Sequence, residues 1–160
     1  MHNSDGAAVR SGYLADFYPE IKALLEQGKP VCISFQGMSM SPTLRGGRDS
    51  VVLVRPEGKL RKYDLPLYRR DNGAFVMHRI ISLGKDGTFT CCGDHQLQAE
   101  PGVRSDQIIA LAVLLHRKGR DISVNSFGYR LWVRFWCALR PLRPFLFRFV
   151  SAFRKLFAGK

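Results

Sequence analysis

The stretch Val31-Cys32-Ile33-Ser34-Phe35, followed one position later by Gly37-Met38-Ser39-Met40-Ser41-Pro42-Thr43-Leu44, decides how this chain folds. The apolar run predicts a β-strand, and Gly37 permits a sharp turn after it because glycine has no Cβ. Pro42 fixes its own φ and cannot extend a strand ladder, so the turn should be rigid. We predict that Ser39, held on this turn, is a nucleophile. The alternative is an ordinary turn hydroxyl that bonds the local backbone.

A candidate base for this serine lies in the apolar run 74–83, which predicts one buried strand with His78 inside it. Serine is a poor nucleophile at its ordinary pKa and needs a neighbouring group to take its proton. Imidazole suits that task because its pKa lies near neutrality. We therefore predict that His78 is the base. The alternative is a core histidine that bonds a backbone carbonyl.

A candidate acid, Asp94, follows in the polar loop 91–100. A carboxylate on the second imidazole nitrogen would fix the tautomer of His78 and stabilise the imidazolium that forms when the serine proton moves. The three residues would then act in the chain order Ser, His, Asp. The alternative is a turn aspartate that caps the backbone.

Residues 37–44 resemble the serine box of the signal peptidase I family, and the first part of the stretch also resembles the turn of the related self-cleaving repressors. His78-Arg79-Ile80-Ile81 resembles the endoplasmic-reticulum and archaeal branch, which carries histidine where the bacterial enzymes carry lysine. Gly93-Asp94 matches the acidic loop of that branch, with Glu100 at the place of its second acid. The resemblance covers roughly residues 31 to 115.

This resemblance implies a serine endopeptidase that cleaves a peptide, protein or leader segment with Ser39, His78 and Asp94, without a cofactor or metal. Glu100, Gly37 and Met40 would be possible supporting residues. Some family members have an oxyanion-binding serine at the position of Gly37, so main-chain N–H groups of the turn would have to serve here.

Two alternatives to this peptidase stay open. A repressor-type self-cleaving protease would use lysine as base and would normally follow a DNA-binding domain, for which the first 30 residues are too short. A catalytically inactive membrane-surface binding module could have the same fold.

The pattern from residue 31 onward predicts a mainly β body, because short apolar or alternating runs are separated by Gly, Asp and Pro. Turns at 71–73 and 85–87 contain residues that tolerate positive φ and predict hairpins. Pro66 predicts an edge strand or a bulge. We expect an antiparallel β barrel or sandwich of the signal-peptidase and repressor-protease type, with an N-terminal helix and C-terminal amphipathic helices. The predicted strands are 31–35, 50–55, 65–69, 75–83, 88–92, 108–115 and 122–124.

Three parts are expected along the chain. Residues 1–30 would form a polar, flexible segment and a helix over 14–27, with Pro19 in the first turn of its stable part and Gly28 at its end. Residues 31–125 would form the β catalytic domain, and 126–160 a basic aromatic tail. The first ten residues lack the features of a secretory signal, and no run has the roughly 20 apolar residues of a membrane span. These features predict a cytoplasmic protein, peripheral at the inner face of the membrane.

Composition excludes several classes of protein. A chain of 160 residues with 46% hydrophobic content can bury one core. The four cysteines include no C-x-x-C pair, which argues against a zinc site or a disulfide framework. We find no phosphate-cradling glycine loop and no dinucleotide fingerprint.

The positive charge is concentrated in the tail. Residues 126–160 contain 8 Lys and Arg and no acid, against 17 Lys and Arg and 13 acids before them. Phe145, Phe149, Phe153 and Phe157 recur at four-residue steps and predict a cationic amphipathic helix, separated from a helix over 129–140 by two prolines. The favoured partner is an anionic membrane surface. Docking of the tail onto the β body and binding of single-stranded nucleic acid are the alternatives, and nucleic acid is the least favoured.

Overall fold

The computed structural model describes residues 8–9 and 14–145, which form a mainly β protein with a few short helices. One half-barrel sheet contains β1 (Ala8–Val9), β2 (Val31–Ser34), β3 (Ser50–Val54), β4 (Pro66–Arg69), β5 (Phe75–Met77), β9 (Ile108–Arg117) and β10 (Arg120–Ser123). A second sheet contains β6 (Arg79–Leu83), β7 (Phe89–Cys92) and β8 (Glu100–Val103). The helices are α1 (Tyr18–Glu26) and α2 (Phe127–Ala138), with 3-10 turns at Ser105–Gln107 and Arg140–Leu142.

The larger sheet has the order β1-β2-β3-β9-β4-β5, with β10 also paired to β9. Its neighbours pair antiparallel except for β1 and β2, which run parallel. The expected antiparallel β architecture is therefore confirmed. The strand β9 is the longest in the described chain and pairs with β3, β4 and β10, so it forms the centre of the sheet.

The single strand predicted over 75–83 is wrong. The chain forms β5, which pairs with β4 in the larger sheet, and then β6, which pairs with β7 in the smaller sheet. One continuous strand cannot hydrogen-bond into two separate sheets, so the ladder is interrupted between Met77 and Arg79. His78 is the residue at this interruption and lies at the junction of the two sheets.

Two predicted hairpin turns are confirmed, since 71–73 joins β4 to β5 and 85–87 joins β6 to β7. Pro66 belongs to β4, whose pairing with β5 begins only at Leu67, and the register against β9 shifts between Leu67 and Tyr68. The expected bulge is therefore present beside the proline. The pattern did not predict β1 or β8, and β1 falls in the segment expected to be flexible.

The helices pack on the sheet through a shared core. α1 has Pro19 in its first turn and Gly28 at φ +73° just after its end, as predicted. α2 ends before Pro141. Residues 143–145 are helical, and the remainder of the helix predicted from residue 145 lies outside the described residues. Ile21 of α1 and Val133 of α2 join the same hydrophobic cluster as the buried residues of β2, β3 and β9. Over the described residues, the three expected parts of the chain thus share one core.

Candidate active site

The turn that carries Ser39 is held by its backbone. Gly37 has φ +89°, a conformation that favours glycine, and its carbonyl accepts a 3.0 Å hydrogen bond from the N–H of Gly46. Met40 is 1% exposed and its side chain belongs to the main core. Ser39 itself is half-buried. The predicted stiff turn is therefore anchored on one side by the core and leaves the serine partly accessible.

The loop after β7 packs directly against this turn. The N–H of His95 donates to the carbonyl oxygen of Ser39 at 2.8 Å. A Cβ on Gly93 would lie only 2.6 Å from that same oxygen, so glycine is required for the close approach. The loop over residues 93–95 thus contacts the serine turn through its backbone.

His78 is buried, and its Nδ1 lies 3.4 Å from the hydroxyl oxygen of Tyr68. Tyr68 donates to Glu100 Oε2 at 2.6 Å, and Arg70 donates to both oxygens of Glu100 at 2.7 and 2.6 Å. Because the single Tyr68 proton goes to Glu100, the bond with His78 needs a proton on Nδ1. This arrangement leaves Nε2 of His78 with the lone pair that a base requires.

Electrostatics keep this imidazole neutral. Burial, followed by the nearby positive charge of Arg70, lowers the pKa of His78 to about 4, although Glu100 and Asp94 act in the opposite direction. Hydrogen bonds from Arg70 lower the pKa of the Glu100 carboxyl, so that group is charged at neutral pH. Burial, aided by Glu100, raises the pKa of Tyr68, which is therefore a neutral donor.

Asp94 does not bond His78, which corrects the predicted orientation of the acid. Its two carboxylate oxygens accept from Arg79 at 2.9 and 2.7 Å, and both side chains are nearly inaccessible. The pairing of β6 with β7 sets Arg79 opposite Cys92, two positions before Asp94, and a planar guanidinium matches a carboxylate in bidentate fashion. Arg79 also donates to Tyr63 and Tyr129 at 3.1 Å, so Asp94 belongs to a buried structural network beside His78.

Ser39 and His78 line the same cleft, which has a volume of about 690 Å³. Met40, Arg70 and Gln96 also line it, and its remaining walls are largely apolar, from β2, β4 and β5. No hydrogen bond joins the Ser39 hydroxyl to His78 within residues 14–145. A larger cavity of about 810 Å³ lies near Tyr18 and Arg55 and contains none of the predicted catalytic residues.

The sequence did not predict the roles of Tyr68, Arg70 and Gln96. Tyr68 and Arg70 are two positions apart at the end of β4, which places their side chains on one face, but nothing in the pattern indicates that this face meets His78. Gln96 accepts from the N–H of Gly93 at 3.3 Å and is brought to the cleft by the loop that supports Ser39.

Among the residues that the structure describes, no group of three or more His, Cys, Asp or Glu side chains is arranged to hold a metal ion. No helix in residues 14–145 combines the length and the apolar character needed to cross a membrane. Comparison with protein-family models and with curated proteins finds no match to this chain.

Proposed function

We propose that this chain is a serine endopeptidase of the signal peptidase type that cleaves a peptide or leader segment with Ser39 as nucleophile and His78 as base. The observation that carries the proposal is that these two side chains, which are distant in sequence, line one cleft. The rigid glycine-led turn and the neutral imidazole supply the two conditions that attack on a carbonyl requires.

In the proposed reaction, Nε2 of His78 takes the Ser39 proton while Oγ attacks the scissile carbonyl carbon. The tetrahedral adduct collapses to an ester on Ser39, and the imidazolium gives its proton to the departing amine. A water molecule then attacks the ester and loses its proton to Nε2, and the imidazolium gives that proton to Ser39 Oγ as the ester bond breaks and the carboxylate product leaves. Each proton that leaves an oxygen is thus accounted for at the same imidazole.

Tyr68 and Glu100 take the supporting role that the sequence assigned to Asp94. As His78 gains a proton, the negative charge of Glu100 behind Tyr68 stabilises the imidazolium. The 2.6 Å hydrogen bond from Tyr68 to Glu100 also fixes the position of the Tyr68 hydroxyl oxygen, which is the acceptor that faces Nδ1 of His78. Asp94 contributes through the field it exerts on His78 and through the packing of its loop against Ser39.

The developing oxyanion needs hydrogen-bond donors near Ser39. The N–H of Ser39 makes no hydrogen bond within residues 14–145 and is free to donate. The side-chain amide of Gln96 lines the same cleft and is a second candidate donor. Loss of one such donor in other hydrolases slows the reaction by roughly 10²- to 10³-fold.

An extended peptide is the substrate that this cleft suits. The cleft is bordered by β2 and by β5, a terminal strand of the larger sheet. Strand addition supplies main-chain hydrogen bonds, while the apolar walls select the side chains that alternate toward them. Ala8–Val9 already pairs in parallel with β2, in register with Cys32 and Ile33, which illustrates how an extended segment uses this edge.

Incubation with a fluorophosphonate probe, followed by intact-mass measurement, tests the nucleophile. The wild-type chain should gain one adduct and Ser39→Ala should gain none. His78→Gln should react at about one hundredth of the wild-type rate or more slowly still. Ser41→Ala, on the same turn, is the matched control and should react as wild type. Labelling of Ser39→Ala would refute the assignment, and vesicle binding without labelling of wild type would support the inactive membrane-surface binding module instead.

One observation favours a second candidate, cleavage of the chain's own N-terminal segment as in self-cleaving repressors. Val9 pairs with β2, and Leu14 lines the cleft that holds Ser39 and His78. Intact mass after prolonged incubation separates the two candidates. Self-cleavage would remove an N-terminal fragment at a rate independent of protein concentration, and only when Ser39 is present.

The proposal includes a cytoplasmic, peripheral location at the inner face of a membrane. It is supported by the 8 Lys and Arg in residues 126–160 and the absence of acids from that sequence. The cytoplasmic leaflet is anionic and attracts such basic segments. Fractionation of cells that express the full chain, with a high-salt wash, would release the protein from the membrane pellet if this location is correct.

A further inference from the structure

The helix α2 has an inner face that is part of the protein body. Tyr129 and Val133 are buried in the main core. The indole of Trp132 donates to Thr43 on the serine turn at 3.3 Å, and that of Trp136 donates to the carbonyl of Asp94 at 2.9 Å. Docking of the tail onto the β body, one of the alternatives from the sequence, therefore applies to this half of the tail.

The opposite side of α2 exposes a stripe of large apolar residues. Phe127 is 83% exposed, Leu131 58% and Phe135 56%. Their four-residue spacing aligns them along one face, which we call the outer stripe. Leu142 and Phe145, just after the helix, are 53% and 69% exposed. Contiguous apolar surface of this kind on a soluble domain is typical of an interaction site.

The charges beside the outer stripe indicate the chemistry of its partner. Arg130 and Arg134 are exposed on the same helix, and residues 126–160 contain no Asp or Glu. A partner must therefore offer negative charge next to an apolar interior. A second copy of the chain would bring like charges together, which opposes association. An anionic bilayer offers both properties at once.

We propose that the outer stripe of α2 docks onto the surface of an anionic lipid bilayer, with Phe127, Leu131 and Phe135 at the acyl boundary and Arg130 and Arg134 at the headgroups. Packing of α2 onto the β body and binding of α2 to the membrane are then compatible, because they use opposite faces of one helix. Since the inner face bonds Thr43 and the Asp94 carbonyl, the loops that hold Ser39 would lie about 10 Å from the lipid, one helix diameter away.

Flotation of the full chain with vesicles tests the proposal. The chain should float with vesicles of phosphatidylcholine and phosphatidylglycerol, and not with phosphatidylcholine alone. The triple variant Phe127→Ser, Leu131→Ser, Phe135→Ser should bind about a hundredfold more weakly, given the transfer free energy of three such side chains. A matched triple variant at exposed apolar residues elsewhere should bind as wild type; its substitutions are Phe17→Ser, Leu83→Ser and Leu97→Ser, at residues 39%, 52% and 50% exposed.

A second set of variants tests whether membrane binding requires the positive charges of α2. Arg130→Gln with Arg134→Gln should weaken binding by about fivefold per arginine and reduce its salt dependence. Lys59→Gln with Lys85→Gln, two exposed lysines away from α2, should leave binding unchanged. Near-UV circular dichroism of each variant establishes that the fold is retained.

Several outcomes would overturn the proposal. One is a wild-type chain that does not float with anionic vesicles, and another is undiminished binding of the outer-stripe variant, which would move the contact to residues 146–160. Self-association that the outer-stripe variant abolishes, without vesicle binding by wild type, would identify a second copy as the partner. If a single-stranded oligonucleotide displaced the chain from vesicles, and this displacement required Phe127 and Phe135, the partner of the outer stripe would be nucleic acid.

Discussion

His78 shows how the surroundings of one side chain set its chemistry. Burial and the positive charge of Arg70 keep its pKa near 4, so the imidazole is unprotonated at neutral pH. A base with so low a pKa accepts a proton reluctantly, and the Tyr68–Glu100 pair behind Nδ1 offsets this by favouring the imidazolium. The proposed reaction would need both the free lone pair of Nε2 and the compensating charge of Glu100.

The pH dependence of peptide cleavage should report this environment. Only neutral His78 accepts the serine proton, so kcat/KM should fall on the acid side as pH drops through about 4. Arg70→Gln removes a positive charge and leaves Glu100 unneutralised, and both changes raise the pKa of His78. The acid limb should therefore move to higher pH. Arg69→Gln, an exposed neighbour, is the control, and an unmoved limb in Arg70→Gln would contradict the assigned electrostatics.

Removal of the Tyr68 hydroxyl tests its positioning role. Tyr68→Phe should lower kcat about ten- to a hundredfold, because Nδ1 loses its acceptor and the link to Glu100. The free energy of unfolding should fall by only about 1 kcal/mol, the net value of a typical hydrogen bond. Single-turnover kinetics and urea denaturation measure the two effects. A variant with wild-type kcat and an unchanged pH profile would restrict Tyr68 to packing.

At the scale of elements, one buried ion pair joins three parts of the fold. Arg79 begins β6, Asp94 follows β7, and Tyr129 belongs to α2. Burial acts to lower the pKa of Arg79, but Asp94 and Tyr129 together outweigh it and raise the pKa, so the guanidinium stays charged. The sequence predicted that Asp94 would be the partner of His78. Its side chain instead bonds Arg79 in a buried structural network.

Asp94→Ala should therefore affect stability first. The substitution leaves a buried Arg79 charge without its partner, which in other proteins costs about 3 to 5 kcal/mol. Urea denaturation measures the loss. Arg104→Ala, which breaks exposed ion pairs with Asp71 and Asp106, is the control and should cost about 1 kcal/mol or less. Similar losses in the two variants would argue against a special role for the buried pair.

The contact between the loop after β7 and the serine turn gives a second prediction at this scale. In Gly93→Ala the new methyl group would lie 2.6 Å from the Ser39 carbonyl oxygen, so the loop or the turn must shift. We expect about a tenfold or greater loss of kcat/KM, since small displacements of catalytic groups are costly. Gly128→Ala, in α2 with open space around it, should keep full activity. Full activity in Gly93→Ala would show that the turn tolerates the shift.

At the scale of the whole molecule, two hydrophobic cores meet near the candidate site. The larger core joins α1, α2 and the half-barrel sheet, and the smaller includes Tyr68, Ile80 and Phe89. His78 lies between β5 and β6, which belong to different sheets. Placement at this junction buries the imidazole, and its protonation is thereby coupled to the stability of the whole fold.

The free energy of unfolding should reflect this coupling. The folded protein disfavours the His78 proton down to pH about 4, whereas the unfolded chain accepts it near pH 6.5. The contribution of His78 to the free energy of unfolding is complete above pH 6.5 and is lost as the pH falls toward 4. Between pH 7 and 4.5 the wild type should lose about 2 kcal/mol more than His78→Asn, as measured by urea denaturation. Parallel losses in the two proteins would show that His78 is not the coupled group.

The sequence by itself determined the local features of this protein. Gly37 and Pro42 set the turn around Ser39, hairpin turns at 71–73 and 85–87 set antiparallel pairing, and Pro19 and Gly28 bounded α1. These features depend on neighbours within a few positions, so residue type and spacing are sufficient to predict them. The amphipathic character of α2 was also visible, although its two faces and their separate surroundings were not.

Only the tertiary structure decided which acidic residue pairs with which partner. Tyr68 meets Glu100 across 32 positions, and Arg79 meets Asp94 across 15, through the register of strands in two sheets. The interruption at His78 and the strand β8 likewise depend on which neighbours are available for hydrogen bonding. No local pattern encodes these choices, because a hydrogen bond between distant residues depends on how whole strands align and not on the residues beside them.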